Sequence, residues 1–406
     1  MAFNISLSGL TAARADLDTT GNNIANSNTT GFKKSRAEFA DVFSQTFGSI
    51  TDKAIGSGVK LAAVSQQFNQ GNIENTGNAL DLAINGEGFF MVDDNGAQSF
   101  TRDGTFRIDR DGFVVNSNGQ RLQAFPPSAS GTGFNTGNLA DLQLTTGVGL
   151  PQATTEVNAA LNFAADDPVL GGAASAINPN DDSTFNFTTS VTVFDSLGAP
   201  HTATLYARRL SNLDWGTQVR VDGTNIGTQD LQFDSNGQLT TGQPMTFPTP
   251  FTPTNGAAPL TLDFDFSDTT ALGNAFSVNN LGQDGFTTGQ LIGIDIADSG
   301  VVSARFTNGR SSALGQVALA NFNNPQGLSQ DGDNQWLESF ESGAAQIGEA
   351  GAANFGLLES GSLEVSNVDL TQELVKLITA QRNFDANSQA IRTENEITQT
   401  AINLGR

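Results

Sequence analysis

Apolar positions recur every seven residues at both ends of this chain and every second residue through much of its middle. Near the start, Phe3, Leu10, Leu17 and Ile24 share the seven-residue spacing, with Ala12, Ala13 and Ala15 between them. Near the end, Leu370, Leu377, Phe384 and Ile391 repeat it, flanked by Leu374, Ile378, Ile397 and Ile402. A sustained repeat of this kind predicts helices that pack along a narrow seam, as in a coiled coil. Gly9 and Gly21 interrupt the first stripe. Each costs about 1 kcal/mol against Ala in a helix interior, so the N-terminal helix is expected to need partners. The second helix has a definite start. Asn367 or Asp369 can cap it, Glu373 suits the dipole in its first turn, and neither Gly nor Pro follows until Gly405.

The middle reads as β. Phe185, Phe187, Val191 and Val193 alternate with polar residues, as do Leu260, Leu262, Phe264 and Phe266. Asp103-Gly104, Asp111-Gly112, Asn118-Gly119 and Asn236-Gly237 are turn pairs, the first three at the spacing of a tight meander. Pro244, Pro248, Pro250, Pro253 and Pro259 crowd one stretch, which predicts an extended loop or linker. A second loop is expected over 166–182. The expected fold class is α+β, mainly β: two coiled-coil-like terminal helices bracket two nested β-rich domains, the inner one discontinuous and the outer one inserted.

Charge sharpens this division. The chain has 406 residues and a formal charge of −23. Residues 1–70 and 361–406 carry nets of +1 and −2, leaving −22 on residues 71–360, and all five lysines (Lys33, Lys34, Lys53, Lys60, Lys376) lie in the ends. Near-neutral ends can pack together repeatedly, whereas an acidic middle suits a permanently solvated surface and repels phosphate backbones. No nucleic-acid partner is therefore expected.

Candidate chemistry is sparse. With no Cys and one His, disulfides, thiolate nucleophiles and Cys- or His-based metal clusters are excluded. Asp93-Asp94, Asp166-Asp167 and Asp181-Asp182 read as solvated turns rather than the paired carboxylates of a glycosidase. Asp263, Asp265 and Asp268, and the run Asp331 to Asn334 before Glu338, do not match a twelve-residue calcium loop. His201 follows Gly198-Ala199-Pro200 and reads as a strand-start residue with no nucleophile beside it. No catalytic residue, cofactor or metal is expected. The polar face of the second helix mixes Lys376, Arg382 and Arg392 with Glu373, Asp385, Glu394 and Glu396, which favours helix packing over membrane insertion. No apolar run reaches the roughly 18 residues of a membrane-spanning helix, and Met1–Leu10 lacks the pattern of a cleaved signal.

Both ends carry long motifs. Ser8-Gly9-Leu10, Leu17-Asp18, Gly21-Asn22-Asn23-Ile24-Ala25-Asn26 and Gly31-Phe32-Lys33 stand at the start; Leu363-Glu364, Asn367-Val368-Asp369-Leu370 and Ala380-Gln381-Arg382 stand at the end. In this order they resemble the signatures of the bacterial flagellar rod and hook proteins. Leu80 to Ile84, Gly88-Phe89-Phe90 and Phe100 to Gly104 resemble the same family. Val191 to Gly198 with His201, and Leu314 to Phe322, resemble its hook branch, which carries an outer insert of roughly the length found here.

The resemblance implies a structural subunit of the flagellar hook: a polymer of identical copies forming a flexible curved tube that couples motor torque to the filament. It implies no enzymatic activity and an extracellular place on the flagellum, reached through the flagellar type III export apparatus without a cleaved signal. Implied partners are further copies of the chain, the distal rod protein, a hook cap protein and a hook–filament junction protein. Terminal helices over 1–30 and 361–406 would form the tube core. A connecting segment over 31–70 would lead to an inner β domain over 71–145 and 280–360 and an outer one over 146–279. The expected packing residues are Phe3, Leu10, Leu17, Ile24, Leu370, Leu374, Leu377, Ile378, Phe384 and Ile391. The alternatives are a rod-type axial protein with an insert, or a secreted β-rich carbohydrate-active enzyme or adhesin.

Overall fold

A computed structural model describes residues 2–42, 56–128, 133–144 and 149–404. Part of the expected connecting segment, 43–55 with Lys53, lies outside the described residues, as do the expected boundary at 145–146 and Gly405. The chain forms two compact units. The inner unit comprises Met1–Thr146, Gly293–Ala304 and Ser311–Arg406; the outer unit comprises Gly147–Ile292 and Arg305–Arg310.

The inner unit contains both long helices, α1 (Ala2–Ala25) and α2 (Leu370–Leu404), which pack on each other. Beyond α1 the chain makes a hairpin of β1 (Ser35–Asp41) and β2 (Val59–Gln66), in register from Ser35↔Gln66 to Asp41↔Val59 with a bulge at Glu38/Phe39. The rest is a β body stitched from early and late sequence. Strand Ile73–Asn75 pairs with Ser362–Glu364, and Leu82–Asn85 with Leu357–Ser360. Strand Ser311–Asn321 pairs with both Phe89–Asp94 and Arg121–Phe125. Both faces of this central sheet are covered. Phe90, Val92, Val317 and Leu319 point into one buried cluster, and Phe89, Met91, Ala318 and Ala320 into another with Phe100 and Trp336. A strand buried on both faces needs a continuous apolar run, which Phe89-Phe90-Met91-Val92 supplies.

Turn chemistry sets the early strands. Asp111-Gly112 and Asn118-Gly119 connect the short antiparallel strands Arg107–Ile108, Val114–Val115 and Arg121–Phe125, with Gly112 and Gly119 at positive φ. Asp103-Gly104 is different: the Gly104 carbonyl accepts the Leu82 N–H at 3.0 Å, so this pair docks onto an earlier strand instead of turning a hairpin. Asn95-Gly96 and Asp222-Gly223, both at positive φ, close two further two-residue hairpins.

The outer unit packs two sheets face to face. One is the antiparallel meander Phe187–Phe194, Pro200–Arg209, Asp214–Val221 and Thr224–Gln232. The other is built around Glu156–Ala164, with parallel partners Asp263–Asp265 and Thr270–Leu272 and the antiparallel partner Ser277–Gln283. Trp215 stacks on Phe163 at 4.7 Å and 15° within the shared core. Leu260, Leu262, Phe264 and Phe266 are all buried, although only Asp263–Asp265 forms a ladder there. The proline-crowded stretch stays inside this unit as an irregular loop, with the short strand Met245–Thr246 and buried Phe247 and Phe251.

Candidate assembly surface and the joint below it

The helix pair is antiparallel. Gly9 lies so close to Asn387 that a Cβ there would come within 2.5 Å of its Oδ1, while at the other end Asn23 Nδ2 donates to Glu373 Oε2 at 3.3 Å. Asp369 caps α2, its Oδ1 accepting Thr371 N–H at 2.9 Å and Gln372 N–H at 3.1 Å. Asn367, the other candidate cap, instead ties the joint: its Oδ1 accepts Lys34 N–H at 2.8 Å and its Nδ2 donates to the Gln67 and Asn69 carbonyls.

Shielded positions on α2 follow a 4-3 spacing: Glu373, Leu377, Ala380, Phe384, Asn387, Ile391 and Glu394. On α1 the buried positions are small or polar, Ala13, Thr20 and Asn23, with Gly9 and Asp16 half-buried on the same face. The expected residues divide accordingly. Leu377, Phe384 and Ile391 are half-buried on the seam, and Leu10, Leu17 and Ile24 are half-buried one position beside it. Phe3, Leu370, Leu374 and Ile378 are between 41% and 50% exposed, joined on the outside by Leu7, Val375, Ile397 and Ile402. Gln381, Arg382 and Ala25 are also exposed. Ala13, Asp16 and Thr20 leave no apolar stripe, because small and polar side chains interrupt one; the spacing of small residues is the signal they offer.

The seam has its own electrostatics. The Glu373 side chain is 2% exposed and accepts Lys376 Nζ at 2.6 Å. Burial pushes the Asp16 carboxyl above the usual range; nearby Lys376 opposes this and Glu373 adds to it.

Below the helices a buried polar joint holds α1, β1 and α2 to the body. The Asn23 side chain pairs with Ser35 as a strand would, accepting its N–H at 2.9 Å and donating to its carbonyl at 2.8 Å. Ser8 Oγ accepts Val59 N–H at 3.2 Å, and Asn26 folds back on Asn22 Oδ1 at 2.6 Å. Gly31, at φ +68, donates its N–H to the Glu364 carbonyl at 2.8 Å beside half-buried Phe32 and Val368. At the centre, Glu364 accepts Lys33 Nζ at 2.6 Å and Arg102 Nη1 at 3.2 Å, with Lys33 and Glu364 side chains each 1% exposed. Gly71 N–H adds a bond to Glu364 at 2.7 Å, and the Asn69 and Gly86 carbonyls each accept one further hydrogen, from Lys33 Nζ and Arg102 Nη2, at 2.9 Å, while Arg102 Nε is buried with no hydrogen-bond partner among the described residues. Burial lowers the Lys33 and Arg102 pKa values, with Glu364 holding against it. All three residues lie within the quoted motifs, but nothing in the sequence shows that 331 positions of separation close to one ion pair.

Elsewhere the chemical candidates take structural places. Asp333 and Asn334, both at positive φ, turn the hairpin between Ser329–Gly332 and Gln335–Leu337. Asp93 and Asp181 cap local turns through Gly96 and Ser183 N–H groups. Asp265 bonds Ser267 within its own turn. Among the described residues no group of three or more His, Cys, Asp or Glu is placed to hold a metal, and no helix is long and apolar enough to cross a membrane.

Four family profiles match along the chain: flagella basal body rod protein over 3–33, flagellar hook protein FlgE/F/G D1 domain over 83–161, flagellar basal body protein FlaE D2 domain over 157–286, and flagellar basal body rod FlgEFG protein C-terminal over 359–404. The flagellar hook protein FlgE of Escherichia coli K12 is 38% identical over 413 residues, covering all of both chains. That of Salmonella typhimurium is 36% identical over 416 residues, again covering all of both, and that of Treponema pallidum is 31% identical over 98% of each. The crystal structure of Helicobacter pylori flagellar hook protein FlgE2 aligns at a TM-score of 0.56 and 16% identity, spanning 72% of this chain and all of that one, a likeness of fold.

Proposed function

The chain belongs to the flagellar hook protein FlgE family and is a structural subunit of the bacterial flagellar hook, not an enzyme; on that premise we propose how its parts divide the work. Copies of the chain assemble through the terminal helices, whose seam residues pair within a subunit and whose outer apolar residues meet neighbouring copies. The observation that carries this is the row of exposed apolar side chains on an already paired helix, with Leu370, Leu374, Val375 and Ile378 on α2 and Phe3 and Leu7 on α1. Fully burying such a side chain contributes about 1.5–3 kcal/mol, so neighbours that cover several of them supply a large assembly drive. The β body and the acidic outer unit face solvent, where hydrated, like-charged surfaces let subunits slide as a curved tube turns and transmits torque.

The finer partners follow from the same reading: the distal rod protein at the base, a cap protein during growth, a junction protein toward the filament, and the type III export apparatus that delivers the chain outside the cell. Full-length identity across the outer insert favours a hook over a rod subunit, and neither an enzyme nor an adhesin requires both chain ends for activity.

Deleting residues 2–24 tests the reading. The expected result is a folded outer unit and no assembled hooks. Hooks of normal length from the truncated chain would refute it. In wild-type cells, gold-labelled antibody against 149–292 should mark a short curved segment between cell surface and filament.

A further inference from the structure

The chain's one histidine is held where a neutral imidazole leaves a neighbour unsatisfied. His201 stands at the start of strand Pro200–Arg209 in the outer unit. Its Nδ1 lies 2.7 Å from Asp222 Oδ2 and its Nε2 lies 3.2 Å from Asp195 Oδ2. A neutral ring carries one N–H; only the imidazolium donates to both carboxylates.

Each carboxylate is also committed to backbone. Asp195 is fully buried, and its Oδ1 accepts Leu197 N–H and Ala199 N–H, both at 2.9 Å, closing the turn before the strand. Its Oδ2 also accepts Asn255 Nδ2 at 2.5 Å, from the proline-crowded loop. Asp222 Oδ1 accepts Thr202 N–H at 2.9 Å from the hairpin turn Asp222-Gly223. The same loop sets the Phe251 ring edge-on to the imidazole at 5.1 Å, and Ala258 N–H reaches Ser196 Oγ at 2.9 Å. Asp195 and Asp222 are the charged groups that face the ring; Arg220 turns away to the Gly223 carbonyl and Gln218.

We propose that His201 is a proton-operated clasp: protonated, it ties the 195–199 turn, the 222–223 turn and the 247–260 loop together, and on losing its proton it lets them loosen. Burial works against the charged ring, but the hydrogen bonds to Asp222 and then Asp195 outweigh it and raise its pKa above the ordinary value. Asp195 is held down to about 2, burial opposing and its hydrogen bonds prevailing, so it stays ionised throughout. A raised histidine pKa contributes stability that is complete below the unfolded value of about 6.5 and lost as pH rises through the folded value. The outer unit is therefore tighter in mildly acidic surroundings than in alkaline ones, whatever the assembly above it does.

The test uses the full-length chain labelled with ¹⁵N-histidine, which gives a single imidazole. The expected result is a titration midpoint above that of the unfolded chain, two protonated ring nitrogens below that midpoint, and a lower midpoint in Asp222→Asn. Amide exchange then reads the clasp itself. Protection at Leu197, Ala199, Thr202 and Ala258, corrected for intrinsic rate, should fall from one pH unit below the midpoint to one above, by at most about tenfold for one proton. In His201→Gln it should stay flat with pH; if that variant fails to fold, by Trp215 fluorescence, Asp222→Asn decides. A midpoint at or below the unfolded value overturns the proposal, and so does wild-type protection that does not change across the midpoint.

Discussion

Lys33 and Arg102 bring two buried cations together in the inner unit and share one hydrogen-bonded carboxylate, Glu364, between them. Two carbonyls and a backbone N–H support it, although Arg102 Nε stays buried with no hydrogen-bond partner among the described residues. Removing the carboxylate leaves both cations uncompensated. Glu364→Ala is therefore expected to destabilise the inner unit by about 3–5 kcal/mol and leave the outer unit unchanged, seen as the loss or lowering of one calorimetric transition. Asp16 makes the opposite demand. Its raised pKa means that the helix pair carries a strained carboxylate at neutral pH. The pair should gain stability as pH falls through the Asp16 folded value, fully gained below about 4. Asp16→Asn should be more stable than the parent at pH 7 and equal to it at low pH, as followed by amide exchange in α1 of assembled hooks. Equal stability of the two at pH 7 would show that the carboxylate is not strained.

At the scale of elements, periodicity was legible on both helices, and its phase on α2 alone, where Leu377, Phe384 and Ile391 lie on the seam. The seven-residue repeats located both helices, yet Leu10, Leu17 and Ile24 fall one position beside the seam and Leu370 lies outside it. A helix whose partner-facing positions are Gly9, Ala13, Asp16, Thr20 and Asn23 hides its contact face from any hydrophobic pattern. Alternation found the strand Phe187–Phe194 and the inward face of Leu260 to Phe266, because burial imposes period two even where the ladder is short. It could not find the pairing of Ile73–Asn75 with Ser362–Glu364, since partner choice at such separation depends on the whole body closing. Capping was legible to one residue: Asp369 takes the α2 terminus and frees Asn367 to bind three backbone groups of the connecting segment. Asp369→Ala should cost about 1 kcal/mol and shorten α2 at its start, with Thr371 and Gln372 amides losing protection first. Asn367→Ala should instead loosen the joint and leave the α2 terminus intact.

For the whole molecule, the division of charge suits the division of labour proposed above, in which near-neutral helical ends meet their own kind and an acidic body stays wet. The large apolar residues on the seam, Leu377, Phe384 and Ile391, are only half-buried, so the helix pair is expected to be weak until neighbours cover its outer face. In dilute monomer the amides of α1 and α2 should exchange freely while those of Phe89–Asp94 and Asp214–Val221 are protected; in assembled hooks both sets should be protected. Full protection of the helices in monomer would place their stability within one subunit. The stitching of the inner body has a consequence for timing. Its central sheet, its two outermost strand pairs and its ion pair each join residues from the first third of the chain to residues beyond 310. A chain threaded through a narrow passage from either end presents only half of every one of these partnerships until nearly all of it has emerged. The central sheet and the ion pair of the inner unit therefore cannot close on a partial chain, and the last of these partnerships waits for the last segment to arrive.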